Sequence, residues 1–232
     1  EVGSHTITSI TAYRGWDNTE IRDGDWLDRA YVGFAQLHDT GPQTSNTFSQ
    51  ELRLTSPADQ ALSYVLGAYY SRAESERTFT RNVVQCSATA TAPTGVLIPC
   101  GSTNALAATT PNGSATFGSV FNNFALFGQA TLKLGERARL IGGLRYTHDK
   151  LSVFHARVSP LTGPGIQANF DQGVYDKYLA LVASGQSAST AAANAVASSN
   201  GVPWRGQTSN DNLSGKVIAQ YDFSDDVMGY AS

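Results

Sequence analysis

Charge is scarce in this sequence. Lys, Arg, Asp and Glu make up 15% of the 232 residues, against roughly 25% in a soluble domain. Mean hydropathy is nevertheless slightly negative at -0.22. Low charge without high hydropathy is what alternating apolar and polar residues produce when they cancel. No run of about 18 apolar residues occurs, which excludes a transmembrane helix but not membrane strands, whose signal per segment is much weaker. A net charge of -3 leaves no basic stripe to neutralise phosphates, so no nucleic-acid partner is expected. The four histidines, His5, His38, His148 and His155, are scattered and sit in no nucleophile pattern. No catalytic residue, resident metal or cofactor is expected.

Only two cysteines are present, Cys86 and Cys100, bracketing the loop-like CSATATAPTGVLIPC. A pair closing a short loop fits a disulfide in an oxidising compartment. On the chain-entropy account it contributes roughly 3 kcal/mol. Two free thiols are the alternative.

What is abundant is alternation. In FSQELRLT, Phe48, Gln50, Leu52 and Leu54 share one face while Ser49, Glu51, Arg53 and Thr55 share the other. This is the two-residue period of a strand. NFALFGQATLKL puts Leu126, Gly128, Ala130, Leu132 and Leu134 opposite Phe127, Gln129 and Lys133. ARLIGGLRYTHDK and NLSGKVIAQYDF repeat the arrangement, with Arg145 and Lys216 on the polar side. The pattern predicts strands near 5–16, 45–56, 62–79, 120–134, 138–153, 209–222 and 227–232. Short turns at 56–61, 135–137 and 223–226 alternate with long segments at 17–44, 81–119 and 155–208. Tight connections at one end and long ones at the other describe a transmembrane β-barrel. Loops beyond about 12–15 residues are uncommon in a soluble sandwich. Seven strands cannot close a single-chain bacterial barrel, so further strands are expected beyond one or both termini. The Ala-rich stretch 174–201 predicts two short helices parted at Gly185, the second starting at Ser187 or Ser189.

Lumen-facing roles fall to Glu51, Arg53, Gln129, Lys133, Arg145 and Lys216, because charge at the lipid midplane costs roughly 2–4 kcal/mol. Tyr13, Tyr64, Tyr69, Tyr70, Tyr146, Tyr221 and Tyr230 are candidates for an interfacial aromatic girdle. The loop WDNTEIRDGDWLDRAYVGFAQLHD is the candidate ligand-contact loop, through Trp16, Trp26, Tyr31 and Phe34.

The phrases FSQELRLTSP, LSYVLGAYYSR, FALFGQATLKLGERARLIGGLRYTHDK and NLSGKVIAQYDFSDDVMGYAS resemble barrel strands of TonB-dependent outer-membrane receptors. The resemblance implies a segment of a 22-stranded antiparallel barrel in a Gram-negative outer membrane, with short periplasmic turns and long extracellular loops. Residues 1–232 are then part of that barrel, without the plug domain and the remaining strands. The implied partners are outer-membrane lipid, the protein's own plug domain, the inner-membrane TonB energy-transducing complex and a small-molecule ligand such as an iron chelate. The implied function is active uptake of a scarce ligand, a ferric siderophore, with a passive porin or uptake of a glycan or cobalamin as alternatives. A barrel lipase or protease and a soluble all-β protein are the remaining readings.

Overall fold

The computed structural model describes residues 4–94, 96–102, 106–158 and 172–232. Seven strands form one antiparallel sheet in strict chain order: β1 (Thr6–Asp23), β2 (Gln36–Thr55), β3 (Leu62–Val84), β4 (Gly113–Leu134), β5 (Ala138–Val158), β6 (Trp204–Asp222) and β7 (Met228–Ala231). Each strand pairs only with its neighbours in sequence, and the sheet is open, as a barrel segment is. The connections 56–61, 135–137 and 223–227 gather at one end, here called the turn end. Connections 24–35, 85–112 and 159–203 lie at the other, the loop end.

Register places all the apolar alternates on one surface. Leu52 pairs with Ala68, Ala68 with Leu126, Leu126 with Tyr146, and Tyr146 with Leu213. Below them run Leu54–Leu66, Leu132–Leu140 and Gly142–Val217. Nothing among the described residues covers this band; Leu213 is 72% exposed and Val217 66%. In a soluble sheet such a surface would be buried under a second layer.

Aromatic rows bound the band. Toward the loop end stand Tyr13, Phe48, Tyr70, Phe124 and Tyr146, each on the apolar face, with Phe48 and Tyr70 rings 6.5 Å apart. Toward the turn end stand Tyr64, Tyr221 and Phe223, the last two in edge contact at 5.1 Å. Leu213–Tyr221 covers about 27 Å along the strand, or about 20 Å in height at a tilt of about 40°. That is close to the apolar band of a membrane barrel. Tyr69 and Tyr230 do not belong to these rows: they pair with Glu51 and Gln220 and so share the polar face.

The strands overrun the expected bounds at the loop end. β1 continues to Asp23, β2 begins at Gln36, β3 reaches Val84, β4 starts at Gly113, and β6 starts at Trp204. Above the loop-end aromatic row both faces are polar, so the hydrophobic alternation that marks a strand fades while the hydrogen-bond ladder continues. The hydrogen-bond ladder and cross-strand polar contacts hold these extensions.

The connection 159–203 carries α1 (Gln172–Ala183) and α2 (Ala188–Ser199). Gly185 stands between them at φ 94°, where only glycine sits without strain. Ser187 is the N-cap of α2, its hydroxyl accepting from the Thr190 amide. Residues 159–171 lie outside those described. No helix is long and apolar enough to cross a membrane among the described residues.

Candidate functional site

The polar face carries the six side chains read from the sequence, but it divides them. Gln129, Arg145 and Lys216 meet around one cavity of about 310 Å³ shared with Phe127 and Ser214. Arg145 stacks its guanidinium 5.6 Å from the Phe127 ring centroid and donates from Nε to Thr147 Oγ1 at 3.3 Å. Lys216 lies flat over Gly143. Glu51 and Arg53 form an ion pair with each other on β2, two strands away. Lys133 is at the turn end, where its Nζ donates to the Ala58 carbonyl at 2.7 Å.

A second cluster, at the loop end of the same face, falls within residues the sequence reading assigned to loops. Asp39 of β2 pairs directly with Arg22 of β1 and Arg81 of β3. Arg81 binds it through both Nε (2.7 Å) and Nη2 (2.8 Å), and Arg22 Nη2 adds a third bond at 2.7 Å. The carboxylate is only 2% exposed, so it needs these donors to remain ionised. The bidentate Arg81 contact, then Arg22, holds its pKa below the usual carboxylate value, outweighing the opposing effect of burial. Two residues deeper, Arg77 of β3 crosses Gly41 of β2 to pair with Glu20 of β1. A Cβ on Gly41 would lie 2.7 Å from Arg77 Nη2, so glycine clears the path. Phe79 sits between Arg77 and Arg81, each guanidinium 5.7 Å from its ring. The signal in the sequence was Arg77-x-Phe79-x-Arg81, a strand-period repeat with a polar rather than an apolar alternate.

The four aromatics of the candidate ligand loop are not brought together. Trp16 is in β1 on the polar face, paired with Ser45 well below the loop, because the strand continues through it. Tyr31 and Phe34 exchange backbone hydrogen bonds across a tight turn (2.9 and 2.8 Å). Trp26 stands alone at the tip, 89% exposed and at φ 62°. Asp23 fixes that unusual backbone by accepting from the Asp25 (3.1 Å) and Trp26 (2.9 Å) amides, and Asp25 accepts from Leu27 (2.7 Å). The Trp26 amide, followed by that of Asp25, lowers the Asp23 pKa.

Loops 24–35 and 85–112 form one body. The Val32 amide donates to the Ile98 carbonyl (2.9 Å) and the Cys100 amide to the Ala30 carbonyl (3.0 Å). Val32, Cys86, Ala92 and Leu106 make a small core beneath Ile98 and Cys100. Cys86 and Cys100 are disulfide-bonded, with Cα atoms 5.6 Å apart. Among the described residues no group of His, Cys, Asp and Glu converges to hold a metal ion.

A family model described as "TonB dependent receptor-like, beta-barrel" matches residues 3–232. No curated protein matches the sequence. Among solved structures, the chain is similar to the ferric yersiniabactin uptake receptor FyuA from Yersinia pestis, at 17% identity and a TM-score of 0.56 over 99% of this chain and 25% of that one. The open form of the ferric-catecholate import receptor Fiu from E. coli K12 is matched at 12% identity and a TM-score of 0.33, over 97% of this chain and 35% of that one. This chain therefore spans about a quarter to a third of the length of these receptors. At these identities the FyuA match speaks for the fold alone.

Proposed function

Because the chain belongs to the TonB dependent receptor-like β-barrel family, we propose that it is a section of the wall of an outer-membrane receptor for active uptake of a scarce small molecule, a ferric siderophore. Receptors of this family are transporters rather than enzymes. The observation that carries the reading is the uncovered apolar band between two aromatic rows, backed by a polar face with Glu51, Arg53, Gln129, Lys133, Arg145 and Lys216. Lipid of a Gram-negative outer membrane covers the band, and the polar face lines the lumen, where a plug domain sits against it. Residues 1–232 are one part of that barrel, which further strands close. The turn end faces the periplasm and the loop end the outside. Loops 24–35, 85–112 and 159–203 then cap the ligand's entry, and an inner-membrane TonB complex supplies the energy for release.

The ferric yersiniabactin that FyuA takes up, as its name states, supports iron as the choice of ligand. Growth of a deletion strain tests it. Loss of growth on limiting iron supplied as chelates, restored by the whole gene and abolished by a protonophore, is the expected result. Loss confined to a limiting glycan or to cobalamin would overturn the iron assignment. Energy-independent passage of small solutes would indicate a porin instead.

A further inference from the structure

Cys86 and Cys100 are enclosed by the structure they join. Cys86 follows β3 closely, and the Gln85–Thr109 bridge beside it fixes the backbone with hydrogen bonds of 3.0 and 2.8 Å. Its side chain is 8% exposed, in the small core with Val32, Ala92 and Leu106. Cys100 is half-buried against the same core, and its amide is committed to the Ala30 carbonyl of the other loop at 3.0 Å. The Gly101 amide donates to the Leu106 carbonyl at 2.7 Å, and Tyr31 bridges Pro99. The bond therefore lies inside the joint between loops 24–35 and 85–112, not on its surface.

Burial sets the order of the chemistry. A protein disulfide forms by exchange, in which a thiolate reaches a sulfur of the oxidant's disulfide and holds it in a mixed disulfide. That intermediate needs room for a second protein beside the cysteine. Val32 and Leu106 fill that room once the loops have packed. Ring closure also restricts the segment between the cysteines, 14 residues apart, so the closed ring loses less entropy when loop 24–35 docks on it. In the outer-membrane reading the loop end lies on the side away from the periplasm. A periplasmic oxidant thus loses access to the pair when the barrel inserts.

We infer that Cys86 and Cys100 are joined before the two loops pack and before the barrel enters the membrane, by a periplasmic dithiol–disulfide oxidoreductase. One cysteine thiolate attacks the oxidant's disulfide and displaces one of its sulfurs. The second cysteine thiolate attacks the cysteine sulfur of the mixed disulfide and releases the other. Two electrons reduce the oxidant's disulfide, and the two thiol protons of the loop pass through solvent to the oxidant's dithiol. This order rests on the outer-membrane placement proposed above and is independent of the ligand.

The test follows the whole receptor made in cells through a pulse and chase. Maleimide–polyethylene glycol counts free thiols, with the double variant Cys86→Ser, Cys100→Ser as baseline, and heat-modifiable gel mobility reports the inserted barrel. Both thiols should be lost before heat-modifiable mobility appears, and in cells lacking periplasmic dithiol oxidants both should persist through the chase. Inserted receptor that carries both thiols in normal cells and oxidises afterwards overturns the order. Loss of the thiols at the normal rate without the oxidants overturns the partner. A second measurement needs no kinetics: a membrane-impermeant phosphine applied to intact cells should spare the wild-type disulfide and reduce that of Val32→Asp, or of Val32→Ala if the aspartate variant does not insert. Equal reduction of wild type and variant overturns the enclosure on which the order stands. Recovery of the receptor as a soluble protein that is never heat-modifiable overturns the membrane placement and the insertion step together. Normal growth of a deletion strain on every iron chelate removes the iron-uptake reading alone and leaves the order standing.

Discussion

Lys216 and Val217 are consecutive in β6 and face opposite ways, so exchanging their chemistry one residue at a time measures which surface meets lipid. Val217 pairs with Gly142 midway between Leu213 and Tyr221, close to the centre of the apolar band. Val217→Lys places an ammonium there, at a cost of about 2–4 kcal/mol if the band is in hydrocarbon. Lys216→Val removes a charge that lies over Gly143 on the polar face and should change stability by less than about 1 kcal/mol, as surface substitutions usually do. The measurement is reversible chemical unfolding of the whole receptor from phospholipid vesicles, with Val217→Ala as the reference for lost side-chain volume. A difference of at least about 1 kcal/mol between the two variants, with Val217→Lys the less stable, is the expected result. Equal costs, or the reverse order, would refute the assignment of faces, and with it the membrane.

Asp39→Asn leaves Arg22 and Arg81 adjacent without their anion; we expect a loss of about 2–3 kcal/mol, less than for a wholly buried ion pair because Arg22 is half exposed. The pKa of Asp39 is lower in the folded protein. Its stabilisation is therefore full above the ordinary carboxylate value of about 4 and fades as pH falls through the folded value. Acid unfolding of the wild type, but not of Asp39→Asn, should carry this contribution below about pH 4. Replacing Cys86 and Cys100 by serine should cost the loop body about 3 kcal/mol and raise amide hydrogen exchange in 24–35 as well as in 85–112, since the two share a core; protection of 24–35 unchanged would separate them. Ser187→Ala removes the α2 N-cap, at a cost of about 1 kcal/mol, visible as faster exchange over 188–199 and nowhere in the sheet.

The part of the fold that meets an apolar medium was legible in the chain. Leu52, Leu66, Leu126, Leu140, Leu213 and their alternates repeat with a period of two because one face is oily and the other wet, and the structure sets them side by side. Gly185 and Ser187 announced their helices through backbone freedom and capping. Beyond the aromatic rows both faces are wet, the period disappears, and Glu20, Arg22, Asp39 and Arg81 read as loop. Only strand register, a property of pairs of distant segments, brings Arg22 and Arg81 to either side of Asp39. Composition along one chain carries the solvent each face prefers; which charges become neighbours is decided by cross-strand hydrogen bonding, which no local pattern encodes.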